Sequence, residues 1–245
     1  MSDESSEEFT LARGLDSSYT PNKVLFAVLL LVIPVTIGWQ VFSGETIVQS
    51  LIISLFQVIL VFLCWALGRE LDPDHDYAAF FGIVFLFLPF TITQGNILIA
   101  IWFLIGLRVI NLTTGKSVTS TDILVYVLLS FLAALVTSAI LVIPLSIIII
   151  LLSSFLPKRK PELGLLSIPL FPGLILLMLI NPETWCFLNV SPLLLIYIAF
   201  SSALLFLVTT TTDTIDCTGD RSMKPLSLKR VQTAQLVGVL SVLIL

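Results

Sequence analysis

Charge is scarce in this chain, with twelve Lys and Arg, sixteen Asp and Glu and a single His among 245 residues. A chain that is 11% charged, 57% hydrophobic and +1.09 in mean hydropathy falls outside the range of soluble globular domains. Histidine and cysteine are equally sparse. His75 stands alone, and Cys64, Cys186 and Cys217 fall in an apolar run and in two loops expected to face opposite ways, so neither a zinc cluster nor a disulfide framework is expected. Glycine is never concentrated into a phosphate-cradling loop: Thr113-Thr114-Gly115 after Asn111 has one glycine and reads as a turn. The Asn111-Leu112-Thr113 sequon is expected to face the cytoplasm and to stay unmodified. A cleavable leader is not expected, because no positive segment directly precedes a short apolar core. With so few bases, no nucleic-acid partner is expected either.

What the chain does have is long apolar runs. They cover Val24–Phe42, Ile47–Leu67, Ala78–Thr93, Ile97–Arg108, Ile123–Val136, Ala139–Leu156, Gly164–Ile180, Leu193–Val208 and Val231–Leu245. Several fall short of the roughly 20 residues that cross a hydrocarbon core of about 30 Å, so length alone does not fix their number. The bases do. Arg13 and Lys23 precede the first run, Arg69 follows the second, Arg108 and Lys116 the fourth, Lys158, Arg159 and Lys160 the sixth, and Arg221, Lys224, Lys229 and Arg230 the eighth. The intervening loops carry none. Nine crossings with a cytoplasmic N-terminus and an external C-terminus place every base on one face, as the positive-inside rule requires. On this reading Ala78–Arg108 and Ile123–Leu156 must each return to the side on which they began, as short hairpins or as re-entrant loops.

The expected fold is therefore all-α: a polytopic transmembrane helical bundle of about nine segments over residues 23–245, behind a disordered acidic tail over 1–22. Asp3, Glu4, Glu7, Glu8 and Asp16 face only Arg13 in that tail. Trp39 and Trp185 fall near the expected outer boundary and Trp65 near the inner one. Pro144, Pro169 and Pro172 are expected to kink their helices. Gln232 and Gln235, three residues apart, are expected to tie the last helix to the bundle.

The same topology collects the acids outside the tail into two cytoplasmic loops. In Arg69-Glu70-Leu71-Asp72-Pro73-Asp74-His75-Asp76, the Asp-Pro pair reads as a helix start with Asp72 as its cap. Three carboxylates within five residues repel one another unless Arg69 or a cation relieves them. His75 reads as solvated, with a ligand or acid–base role as the sharper alternative. In the second loop Asp213, Asp216 and Asp220 would share one face of a helix, suited to Mg²⁺, although Gly219 and the Thr run oppose a continuous helix. Asp122, before an apolar run, reads as an N-cap. The candidate metal ligands are thus Asp72, Asp74, Asp76, Asp213, Asp216 and Asp220. The candidate polar site comprises Arg69, His75, Arg108, Asn111, Asp122 and Arg230. No acid falls at mid-membrane, which argues against an ion-coupled transporter.

The Arg69–His75 stretch, Asn111-Leu-Thr-Thr-Gly115 and the Asp-rich loop leading to Pro225 and Arg230-Val231-Gln232 together resemble a family of uncharacterised bacterial multi-spanning membrane proteins. That resemblance implies the architecture and no activity. In segment number, orientation and two cytoplasmic Asp-rich loops the chain is also similar to UbiA-type prenyltransferases, which implies Mg²⁺-held isoprenoid diphosphate. The motifs differ, with Asp72-Pro-Asp74-His-Asp76 standing where that family has Asn-Asp-x-x-Asp. Two functions follow as expectations. The first is a non-enzymatic component of the plasma (inner) membrane that shows a charged cytoplasmic face to a protein partner. The second is a Mg²⁺-dependent enzyme acting on a lipid-linked phosphate or diphosphate at the inner leaflet.

Overall fold

The computed structural model describes residues 10–11, 15–80, 83, 96–157, 161–180, 192–218 and 225–244. Arg13, most of the expected Ala78–Thr93 segment, Lys158–Lys160, Glu183, Trp185, Cys186, Asp220, Arg221 and Lys224 lie outside the described residues. Among the described residues the elements are α1 (Thr20–Phe42), α2 (Ile47–Leu71), α3 (Ile97–Asn111), α4 (Ser120–Thr137), α5 (Val142–Phe155), a 3-10 turn (Pro161–Ser167), α6 (Leu170–Ile180), α7 (Pro192–Thr211) and α8 (Leu228–Ile244). They contain no strand, only an isolated bridge between Thr218 and Pro225. Four stretches are long and apolar enough to cross a membrane: α1, α2, α4 and Glu162–Leu179. The helices α3 and α5 are apolar but shorter.

The chain divides into two compact units, Gly14–Leu104 and a second made of Met1–Arg13 with Ile105–Leu245. In the first, α1 and α2 form a helical hairpin. Its turn is closed by a capping box in which Thr46 Oγ1 accepts the Gln49 N–H and the Gln49 side chain accepts the Thr46 N–H. Gly44 supplies the positive φ of 95° that the turn requires. The buried face carries Leu25, Val32 and Thr36 from α1 and Ser50, Ser54 and Val61 from α2. Large apolar side chains lie outside instead, with Leu30, Ile47 and Val48 each 70% exposed. Small hydroxylated residues inside and bulky aliphatics outside invert the pattern of a water-soluble domain and suit a helix pair surrounded by lipid.

In the second unit the chain reverses between α4 and α5. Ser130 and Ser146 would lie about 24 Å apart along one continuous helix. Instead, Ser146 Oγ donates to Ser130 Oγ at 2.8 Å. Ser138, left-handed at φ 56°, ends α4 and starts the reversal. The return expected of Ile123–Leu156 is therefore present as a helical hairpin.

The prolines depart from expectation. Pro144 is the third residue of α5, Pro172 the third of α6, and Pro169 immediately precedes α6. In a first turn the backbone N–H has no intrahelical acceptor, so a proline there opens a helix without kinking it. The interior proline among the described helices is Pro34 in α1. It deprives the Leu30 carbonyl of its i+4 donor.

Two glycines separate packing from propensity. A Cβ at Gly68 would lie 2.7 Å from the Ala79 Cα, against backbone that cannot swing aside, whereas a Cβ at Gly38 would meet nothing within 4 Å. Gly68→Ala is expected to destabilise the protein by about 1–3 kcal/mol. Gly38→Ala should range from neutral to about 1 kcal/mol stabilising. Thermal unfolding of both variants in one detergent, followed by far-ultraviolet circular dichroism, checks the contrast, and equal melting temperatures would refute it.

Candidate functional site

In the first unit α2 ends at Asp72, whose N–H donates to the Gly68 carbonyl. Asp72 is thus a C-terminal cap and not the N-cap of a following helix: its backbone (φ −136°, ψ 82°) leaves the helix, and its N–H is spent backwards. Both its carboxylate oxygens face His75 Nδ1, at 2.9 and 3.1 Å. Hydrogen bonding to Asp72 and its negative charge hold the His75 pKa above the ordinary 6.5. Arg69, buried in the last turn of α2, pairs with Asp76, whose other oxygen accepts the Tyr19 hydroxyl. Partial desolvation, followed by this bond and the charge of Asp76, raises the Tyr19 pKa. The crowding of acids anticipated around residues 72–76 is thus relieved by Arg69 for Asp76 and by His75 for Asp72, and Asp74 stays exposed.

The second unit gathers its polar residues at one end. Here the C-termini of α3 and α5 meet the N-termini of α4 and α8. Arg230, only 2% exposed, donates from Nη1 to the Ile110 carbonyl at 2.6 Å, from Nε to Pro157 O at 2.7 Å and from Nη2 to Ser153 O at 3.4 Å. The Ile110 and Ser153 carbonyls are among those that the ends of α3 and α5 leave without an intrahelical donor, at the negative end of each helix dipole, and Pro157 lies just beyond α5. One guanidinium fork therefore closes two helices. Beside it lies a small cavity of about 10 Å³, lined by Leu112, Ser153, Ser154 and Leu163 among others, with room for about one water molecule.

Asp122 is fully buried and occupies the third position of α4, where it completes a capping box headed by Thr119. The N-cap is therefore Thr119, because the Thr119-Ser-Thr-Asp122 spacing lets each side chain reach the other's backbone. The Asp122 carboxylate accepts the Thr119 N–H and hydroxyl, both at 2.8 Å. It also accepts the Thr10 N–H at 2.9 Å and the Thr10 hydroxyl at 2.6 Å. Arg108 Nη1 donates to the Leu11 carbonyl at 3.1 Å, and Leu11 is 1% exposed. The stretch expected to be a solvating tail thus contributes two seated residues, and α1 begins at Thr20, inside that stretch. Asn111, Thr113 and Thr114 are buried in the turn between α3 and α4, where Leu112 (φ 56°) and Gly115 (φ 77°) are left-handed. Gln232 Nε2 donates to Thr212 O at 2.9 Å, joining α8 to the end of α7, and Gln235 is buried.

In the second acidic loop Asp213 and Asp216 do not share a helical face, in keeping with the Thr run that opposes one. The helix α7 ends at Thr211, and Asp213 and Asp216 follow as exposed, irregular chain. Asp220 lies outside the described residues. Among the described residues no group of three or more His, Cys, Asp or Glu side chains is placed to hold a metal ion. Of the candidate residues, the second unit brings Arg108, Asn111, Asp122 and Arg230 to one end, and the first brings Arg69, Asp72, His75 and Asp76 together. Sequence reasoning missed Thr10, Tyr19 and Thr119. Only Thr119 carried a readable signal, its three-residue spacing from an acid.

Because His75 is the only histidine, its imidazole protons give one titrating set of resonances. Its midpoint is expected above 6.5, and Asp72→Asn should return it toward 6.5 in proton NMR of the micellar protein. The pairing is present in full below about pH 6.5 and is lost as the pH rises through the raised value. At the other end, Arg230→Met strands buried carbonyls and should cost about 3 kcal/mol or more. Asp122→Ala should cost about 1–2 kcal/mol through the lost cap alone. Thermal unfolding measures both, and an Arg230→Met protein as stable as the parent would refute the clamp. Comparison with protein-family models, with curated proteins and with solved structures finds no match for this chain.

Proposed function

We propose that the chain is a multi-pass protein of the plasma membrane, a non-catalytic component whose polar end faces the cytoplasm and meets a protein partner there. The observation that carries this reading is how the buried ionic groups are engaged. Arg230 closes two helices, Asp122 caps a third and seats Thr10, and Arg69 neutralises Asp76. Groups held in this way support architecture, since each would have to abandon a buried partner before it could bind a substrate. The apolar exterior of α1 and α2 and the four spanning-length stretches support the membrane placement. The distribution of Lys and Arg supports the orientation, with the N-terminus inside. On this reading the likeness to uncharacterised bacterial membrane proteins concerns architecture alone.

Two experiments test it. Single cysteines at Glu45, Lys116 and Ser138, in a variant lacking the native thiols, are challenged with an impermeant maleimide on intact cells. Glu45→Cys and Ser138→Cys are expected to react, and Lys116→Cys only after the membrane is opened. Labelling of Lys116→Cys on intact cells would reverse the orientation. Mn²⁺ binding by paramagnetic resonance addresses the enzyme alternative. Saturable binding abolished by either Asp76→Asn or Asp213→Asn would favour a Mg²⁺-dependent activity on a lipid-linked phosphate over the non-catalytic reading.

A further inference from the structure

The helix α5 is aliphatic without a break from Ile147 to Leu152 and then places Ser153 and Ser154 side by side in its last turn. Both serines line the cavity beside Arg230, together with Leu112, Ile123 and Leu163. At about 10 Å³ the cavity admits one water-sized molecule. Its polar lining has a definite sense. A guanidinium carries five N–H donors, and here the carbonyls of Ile110, Pro157 and Ser153 take one from each nitrogen, the last at a long 3.4 Å. Among the described residues nothing else takes the two that remain, one on each Nη, and no carboxylate pairs with the charge. The side chain is nevertheless only 2% exposed. The serines present the opposite polarity, because their protons are already committed. Ser153 Oγ donates to the Val109 carbonyl at 2.8 Å and Ser154 Oγ to the Leu151 carbonyl at 2.7 Å, so each has only lone pairs to offer a further partner. Ser154 Oγ also faces the 3-10 turn that supplies Leu163 to the cavity wall, lying 3.2 Å from where a Cβ on Gly164 would stand.

We propose that this cavity is a binding site for one water molecule, held as a further partner of the Arg230 guanidinium: the water accepts from a remaining Nη–H and donates to the hydroxyl oxygens of Ser153 and Ser154. Any occupant must accept on one side and donate on the other. A halide accepts from the guanidinium but has no proton for the serines. A metal cation or an ammonium group has no lone pair for the guanidinium and is repelled by its charge. Water alone among small ligands satisfies both sides, and it gains about the three hydrogen bonds that buried waters usually make. A dry cavity would instead leave N–H donors of a buried cation without a partner. The water ties the start of α8 to the end of α5 a second time, beside the Ser153 carbonyl contact whose length serves Nη2 poorly.

The test reads the water directly in the full-length protein. Protein labelled with nitrogen-15 in its arginines is reconstituted in phosphatidylcholine vesicles, and magnetisation is passed from water protons to the guanidinium nitrogens by magic-angle-spinning NMR, with the Arg230 signals assigned through the backbone. Transfer to the Arg230 Nη atoms is expected in the parent protein and should be largely lost when Ser153→Ala and Ser154→Ala are combined. Replacing chloride by gluconate should leave the Arg230 signals where they are. Observable Arg230 Nη signals that receive no transfer in the parent would mean a dry cavity and overturn the proposal. Transfer unchanged in the double variant would overturn it too, because the water would then not depend on the serines. An Arg230 Nη shift that saturates with added chloride would identify an anion as the occupant. The parent spectrum and the chloride exchange decide the matter without any substitution, so the outcome does not depend on the double variant folding.

Discussion

The second unit depends on how a single guanidinium is solvated. Buried at the ends of α3 and α5, Arg230 has exchanged water for three backbone carbonyls, and those carbonyls have exchanged water for it. Neither party is stable there alone, because a charge without hydrogen bonds and a helix end without donors both lose heavily in a low-dielectric surrounding. The arrangement therefore fixes several things at once: where α3 stops, where α5 stops and where α8 starts. Arginine suits the position better than lysine because its planar fork offers donors in three directions, whereas an ammonium on a flexible stem would leave part of the set unmatched.

The helices of the described residues were readable because their lengths reflect a solvent requirement: an apolar run must satisfy its own backbone, and a helix does so internally. The reversal between α4 and α5 was readable from charge alone, since Lys158–Lys160 and Lys116 had to share a side. The clamp was not readable, because Arg230 bonds to main-chain carbonyls, and carbonyls leave no mark in a sequence. Asp72 misled for a related reason. An Asp-Pro pair carries the same residue types whether it opens one helix or closes another, and here Gly68 had already claimed the Asp72 N–H. Pro144 misled because a proline's effect depends on its distance from the helix start, which composition does not reveal.

The two units solve the problem of isolated charge differently. In the first, Arg69, Asp76 and Tyr19 form a chain of side chains at the foot of α2, partly open to solvent, with His75 and Asp72 beside it as an exposed pair. Such contacts weaken with salt and change with pH. In the second, the partners are backbone or a fully buried carboxylate and respond to neither in the same degree. The first unit is thus the one whose polar chemistry remains adjustable.

The sequence separation of the buried contacts has a consequence during synthesis. Thr10 is made 112 residues before its acceptor Asp122, and Ile110 waits 120 residues for Arg230. At roughly 5–20 residues per second, Thr10 would wait roughly 6–20 s for Asp122 to be made. During that interval α1 and α2 can already pair, while α3 reaches its final length with its last carbonyls still uncapped. The second unit therefore closes from its later elements backwards: the arrival of α8 locks helices that were made long before it.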